Sequence, residues 1–299
     1  MKFFSIAALA LLCYSCNRKT SLERNMQMRS VYNDAAGNPV LLGIHTAKDL
    51  QQAPYNEWFN KNKDLYKIDS ATADKFKLLV KDKKFEIFMG TWCGDSKREI
   101  PRIFKLLEYS GVRASQLTMV MLDNRDSVYK QSPGHEEKDK AIHRVPTLIV
   151  YDGKKEMNRI VEVPVISLER DLLLILTGQQ YEPSYEAATY LLNLTASKQL
   201  AVIKQDSGAI ISILKNLSRN SAELNSLGYV WMAAGNMDKA WLAFDFNAAL
   251  YPKNANVYDS LGEMYIRRNN KAAARVNYNK VLLLDPGNAH AAKMLAILQ

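Results

Sequence analysis

Cysteine is scarce in this chain: only Cys13, Cys16 and Cys93 occur in 299 residues. Three are too few for a disulfide framework, and two of them sit together at the extreme N-terminus, away from the third. The apolar run from Phe3 to Leu12 is ten residues long, far short of the roughly twenty that a membrane-spanning helix needs. Histidine is equally sparse. His45, His135, His143 and His290 stand in no metal-ligand spacing, and no second cysteine accompanies Cys93, which argues against a zinc site. No metal and no cofactor is expected.

What the chain does have is enough length for two ordinary domains. With 47% apolar and 24% charged residues it should be globular. The formal charge is +9, and the densest basic stretch, residues 61–86, interleaves its lysines with acids. That pattern reads as solvated helix faces, with attraction to anionic lipid headgroups as the alternative.

The start, "MKFFSIAALALLCYSC", places Lys2 before the short apolar run and small or polar residues before Cys16, the order of a secretory signal. Ser15-Cys16 resembles the lipobox of bacterial lipoproteins, although Cys13 and Tyr14 depart from its usual residues. The resemblance implies a signal peptide over 1–15, lipidation of Cys16 and an exported, envelope-bound protein facing the periplasm. A plain secretory signal is the alternative. An exported chain has little access to nucleic acid. Residues 16–36 are polar and aperiodic, as a tether would be.

From about 70 to 178, short apolar strands alternate with helices. "ATADKFKLLVKD" (71–82) has apolar residues at helical spacing, and "FEIFMG" (85–90) reads as a buried strand. "DSKREIPRIFKLLEYSG" (95–111) is an amphipathic helix stopped at Gly111. "QLTMVMLD", "VPTLIVYDG" and "MNRIVEV" predict three further strands, the last two joined at Asp152-Gly153. "SLERDLLLILTG" (167–178) predicts a closing helix. No assignment follows for the region before 70 beyond an N-terminal extension.

Within this unit, Trp92-Cys93-Gly94 at a strand-to-helix junction resembles the start of the W-C-G-P-C motif of thioredoxin-like proteins. Lys97 and Pro101, the latter eight residues after the cysteine, match family positions downstream. Val145-Pro146-Thr147 resembles the family's cis-proline loop. The resemblance implies an α/β thioredoxin-like fold over residues 37–180, extension included, with Cys93 reactive and Trp92, Gly94, Val145, Pro146 and Thr147 forming the surface that meets a substrate chain. Cys93 would sit at the positive end of a helix, which favours a thiolate; Lys97 and Arg98 would add to this if they turned back toward the sulfur, and Asp95 would oppose it.

Two residues depart from the family pattern. Ser96 occupies the place of the second, resolving cysteine, and Ile87 that of a buried acid. A hydroxyl stays protonated near neutral pH and cannot resolve a mixed disulfide, so Cys93 is left with one-thiol chemistry that an external thiol must complete. The alternative is that Cys93 is simply a small residue packed at a helix start. His143 could flank this site, but is expected to be exposed and inert.

After residue 184 only helical patterns remain. A shift of 34 residues aligns Leu227-Gly228 with Leu261-Gly262, Trp231 with Tyr265, Gly235 with Asn269, Ala240 with Ala274, Phe244 with Tyr278 and Pro252 with Pro286. Period and residue types resemble tetratricopeptide repeats. The resemblance implies an all-α domain over 184–299 with repeats at about 221–254 and 255–288, and Asn247 as a misfit at a small-residue position. Asn225, Tyr229, Asn256, Asp259 and Glu263 would face its groove, where a protein or peptide could bind or where they could merely be solvated.

Two functions follow as expectations. One is a membrane-tethered thiol-disulfide exchanger acting on protein clients or thiol-containing molecules that the repeats select. The other is a non-enzymatic adaptor that binds through the repeats and keeps a silent thiol. Fold alone does not choose between them.

Overall fold

A computed structural model describes residues 29–298. The expected signal at 1–15, Cys16 and the tether up to residue 28 lie outside the described residues, as does Gln299. The first part of the described chain is an α/β unit and the rest is helical.

The strands are β1 (Ser30–Asn33), β2 (Pro39–His45), β3 (Lys83–Met89), β4 (Leu117–Met121), β5 (Thr147–Asp152) and β6 (Lys155–Val161). They form one mixed sheet in the order β1-β2-β4-β3-β5-β6. Only β3 and β4 are parallel; every other neighbouring pair is antiparallel. All four expected strands agree with the sequence reading to within two residues, β6 lying two residues earlier than "MNRIVEV". The hairpin between β5 and β6 turns at Gly153, whose φ of +59° a side chain would resist.

Strand alternation sorts the core into two faces. Phe85, Ile87 and Met89 of β3, Met119 and Met121 of β4, and Leu148 and Val150 of β5 all join the larger cluster. That face is covered by helix α2 (Asn56–Leu65), α4 (Gly94–Tyr109) and α5 (Leu168–Leu176), through Phe59, Ile100, Phe104, Leu106 and Leu172. Each fully buried side chain of this size contributes about 1.5–3 kcal/mol. The opposite face holds a smaller cluster of Phe88, Val120, Leu122, Ile142, Val145 and Ile149, against which Trp92 and Cys93 pack. The segment between β4 and β5, not a helix, closes this face.

Two expectations are corrected here. The tether does not run to residue 36, because Ser30–Asn33 pairs with β2 at the sheet edge, and Tyr32 reaches across to donate a hydrogen bond to Asp123 at 3.2 Å. The helix expected over 71–82 is only the single turn α3 (Ser70–Ala73), preceded in the chain by the equally short α1 (Ala47–Leu50). Beyond it the chain descends in three-residue turns, with Phe76 bonded to Ala73, Leu79 to Phe76 and Lys83 to Val80. The turns still bury Phe76 and Val80 while leaving Leu78 in solvent. Apolar spacing therefore located the buried side chains but not the hydrogen-bond pattern.

The helical part contains α6 (Glu186–Ser197), α7 (Leu200–Gln205), α8 (Ser207–Leu217), α9 (Ala222–Ala233), α10 (Met237–Leu250), α11 (Ala255–Arg267), α12 (Lys271–Leu284) and α13 (Ala289–Ile297). The hairpins α9–α10 and α11–α12 repeat one another. In each, a glycine of the first helix (Gly228, Gly262) lies directly under an aromatic ring of the second (Phe244, Tyr278). Asn247 is fully buried, and its amide donates to the Ser221 carbonyl at 2.8 Å, so the misfit residue ties α10 to the start of α9. Asn254, Asn270 and Asn288 cap α11, α12 and α13 by accepting a backbone N–H.

The helical part is anchored to the sheet by Tyr181 in the connection. Its hydroxyl donates to the buried carboxylate of Asp171 at 2.9 Å, and its carbonyl accepts from the Asn158 amide at 2.9 Å. Asp171 also accepts the backbone N–H groups of Val165 and Ile166.

A Cβ on residue 228 would come within 2.5 Å of Phe244, and one on residue 262 within 2.8 Å of Tyr278. Gly228→Ala and Gly262→Ala are each expected to lower the unfolding free energy by about 1–3 kcal/mol in urea melts. Unchanged midpoints would contradict the close approach of the two helices.

Candidate thiol site

Cys93 is the residue immediately before α4, in extended conformation, and its carbonyl accepts the first helical hydrogen bond, from Lys97 N–H at 3.0 Å. The approach from β3 is fixed by Gly90 and Trp92. A side chain on Gly90 would collide with the Trp92 ring, and the indole Nε1 donates to the Leu122 carbonyl at 2.8 Å. The half-buried Cys93 thiol then points across the sheet end and donates to the Val145 carbonyl at 3.3 Å. Gly94, the next residue, is exposed, with open space beside its Cα.

The Val145–Pro146 peptide bond is cis. Val145, Pro146 and Thr147 are themselves buried, and the Val145 carbonyl is the polar group that meets the thiol. Glu162 N–H donates to the Pro146 carbonyl at 2.7 Å and Thr147 Oγ1 to the Arg144 carbonyl at 2.7 Å. Thr147 therefore spends its hydroxyl inside the loop.

Ser96 is completely buried, and its hydroxyl accepts from Gly90 N–H at 3.3 Å. Ile87 packs in the core under α4. Arg98 does not turn back toward the sulfur: it pairs with Asp95 at 2.7 Å and with the buried Glu99 at 2.6 Å. Glu99 is in turn shared with Arg102.

The segment between β4 and β5 supplies residues that motif reading did not single out. Lys130 has a left-handed backbone, φ +56°, and the residue is 2% exposed. Its ammonium donates to the Tyr129 hydroxyl at 2.9 Å, to the His143 carbonyl at 2.8 Å and to Ser226 Oγ of α9 at 2.9 Å. Ser226 closes the triangle by donating to the same His143 carbonyl at 2.8 Å. Arg144 donates to the Ala222 carbonyl of α9 at 2.7 Å and pairs with Glu162 at 3.5 Å. Gln131 donates to the Ala233 carbonyl at 2.8 Å. The loop facing the thiol is thus bonded directly to the helical part. Nothing in the polar run 123–144 marks Lys130 as buried; the aromatic before it is the only local hint.

Burial pushes Lys130 down to about 7, with Arg144 acting the same way and Glu162 and Cys93 opposing. Burial likewise raises Glu162 above the usual carboxylate range, against the pull of Arg144. His143 is fully buried rather than exposed, correcting the sequence expectation. Burial drives it down to about 3 despite its hydrogen bond with the Ala141 carbonyl; among the described residues its Nε2 has no partner.

The expected groove residues are partly consumed by one another. Tyr229 donates to Glu263 at 2.9 Å, and Asp259 pairs with His290 at 2.8 Å. Asn225 Oδ1 is buried without a partner, whereas Asn256 is exposed. A cavity of about 890 Å³ opens between the 129–142 segment and the helical part, lined among others by Tyr129, Ile142, Leu192, Trp231 and Lys239.

Among the described residues no cluster of three or more His, Cys, Asp and Glu side chains could hold a metal ion, and no helix is long and apolar enough to cross a membrane. No protein-family model matches the chain, and no curated protein matches it in sequence.

His143 generates a pH dependence with a definite sign. From its ordinary value of 6.5 down to about 3, the unfolded chain binds a proton that the folded chain refuses. Stability is therefore lost as pH falls through that window. Between pH 7 and pH 4, urea unfolding should show the natural chain losing on the order of 3 kcal/mol more than His143→Gln. Equal losses would contradict a neutral, buried imidazole.

Proposed function

We propose that this chain is an exported, lipid-anchored envelope protein in which a thioredoxin-like domain carries one working thiol, Cys93, and a tetratricopeptide-like helical domain presents or selects clients. In this reading the first domain runs to residue 180 and the helical one from 184, with strand β1 at Ser30–Asn33 added to the first. The sheet order β4-β3-β5-β6 with α4 and α5 on one face supports the thioredoxin-like reading. The glycine-under-aromatic hairpins at 34-residue spacing support the repeat reading. Lipidation at Cys16 and a periplasm-facing location rest on the sequence alone.

The observation that carries the reading is the placement of Cys93. Its half-buried sulfur lies at a helix start beside the exposed Gly94 and faces a cis X-Pro backbone, while Ser96 is turned inward to Gly90. Chemistry at such a sulfur proceeds in two exchanges. The Cys93 thiolate attacks one sulfur of a client disulfide or glutathionylated cysteine, forming a mixed disulfide and expelling the other sulfur as thiolate. An external thiolate then attacks that mixed disulfide, takes over the bound sulfur and returns Cys93 as thiolate. Electrons balance because each step makes and breaks one S–S bond. Neither step needs Ser96 or an acid at position 87.

A second reading, adaptor without turnover, is favoured by one observation: the side chains of Val145, Pro146 and Thr147 are covered. In that case the helical domain binds and Cys93 at most captures.

Oxidised glutathione separates the two. Mass spectrometry of the Cys93-bearing peptide should show one glutathione added and then removed by a small external thiol, with no adduct on that peptide in Cys93→Ala. A Cys93 that stays unmodified at millimolar oxidised glutathione would support the silent scaffold instead.

A further inference from the structure

The thiol holds the loop that faces it only while it carries its proton. The Sγ–H to Val145 contact vanishes once the sulfur is ionised or bonded to another sulfur, so during reaction the loop must be held from elsewhere. Its own strand neighbours hold the far end, through Glu162 and Pro146. The near end, His143 and Arg144, is held by Lys130 and by α9 of the helical domain, through Ser226 and the Ala222 carbonyl.

We propose that Lys130 is a positioning residue for the Cys93 thiol, and that helix α9 completes the thiol's site by fixing, together with Lys130, the backbone that faces the sulfur. The inference rests on the one-thiol reading of Cys93. It goes beyond it by making the helical domain part of the reacting site rather than a separate client-binding module.

The geometry is specific. A lysine is seldom fully buried unless its charge is met, and here all three of its ammonium protons are met, by a hydroxyl on its own segment, a carbonyl on the loop and a hydroxyl on α9. Among the described residues no carboxylate is bonded to it. Such a cluster is rigid when complete and costly when one acceptor is removed.

The groups whose charges bear on the ammonium come from each neighbouring element. They are Cys93 at the start of α4, Arg144 on the loop and Glu162 after β6, with Asp95 acting on Glu162 in turn. His143 contributes its carbonyl and a neutral ring. Ser226, the contact from α9, does not titrate. Lys130 discharges as pH rises through about 7. Above that point it keeps fewer donors and no charge near the sulfur, so the loop's hold weakens in the range where thiols work.

The test follows alkylation of the Cys93 peptide by iodoacetamide from pH 5 to 10 in the full chain, with hydrogen exchange of the Arg144 and Val145 amides measured alongside. Besides the bend due to the thiol's own ionisation, the natural chain should show a second bend near pH 7. Lys130→Met should lack it, and in Ser226→Ala the two loop amides should exchange about tenfold faster. Far-ultraviolet circular dichroism checks that each variant is folded; if Lys130→Met is not, Ser226→Ala decides alone. Alkylation profiles and loop exchange that superimpose on the natural chain in a folded variant would overturn the positioning role. Failure of the natural Cys93 to accept glutathione overturns the one-thiol reading instead, and the loop measurement still decides the role of Lys130.

Discussion

The contact between the Cys93 thiol and the Val145 carbonyl is the interaction on which the site depends. It requires three independent backbones to meet. Strand β3 must end at Met89 so that Trp92 can lie against Gly90, α4 must start at Gly94, and the segment entering β5 must bring its carbonyl within reach of the sulfur. The first two are settled within fifteen residues of chain. The third is settled by a loop that begins more than twenty residues earlier and is bonded to a helix more than seventy residues later.

That division explains why Ser96 and Ile87 stand outside the site. Ser96 and Ile87 both face inward, one bonded to Gly90 and the other packed against the helices over the sheet. A satisfied hydroxyl and an apolar side chain at these two places leave the core closed and the hydroxyl paired. The groups beside the sulfur are instead Trp92, Gly94 and the cis-Pro loop.

How much was legible in the sequence follows from how local each feature is. Strands β3 to β6 and helices α4 and α5 were readable because each buries its own alternating or helical set of apolar residues. The repeated hairpins were readable because Gly228 with Phe244 and Gly262 with Tyr278 recur at one spacing. Strands β1 and β2 were not, since β1 is short, largely exposed and held by edge pairing and by Tyr32. The turn-rich stretch after α3 mimicked a helix because Phe76 and Val80 are four apart, as a helix would also place them. The burial of Lys130 and His143 was invisible, because what covers them comes from the other half of the chain.

The central claim is that Cys93 alone, with an outside thiol, carries a complete exchange cycle. Repeated turnover of a glutathionylated peptide by the full chain in excess reduced glutathione tests it most directly. The account predicts turnover that disappears in Cys93→Ala and persists in Ser96→Ala, whose hydroxyl takes no part. Turnover no faster than that of Cys93→Ala, or turnover lost with Ser96, would contradict it.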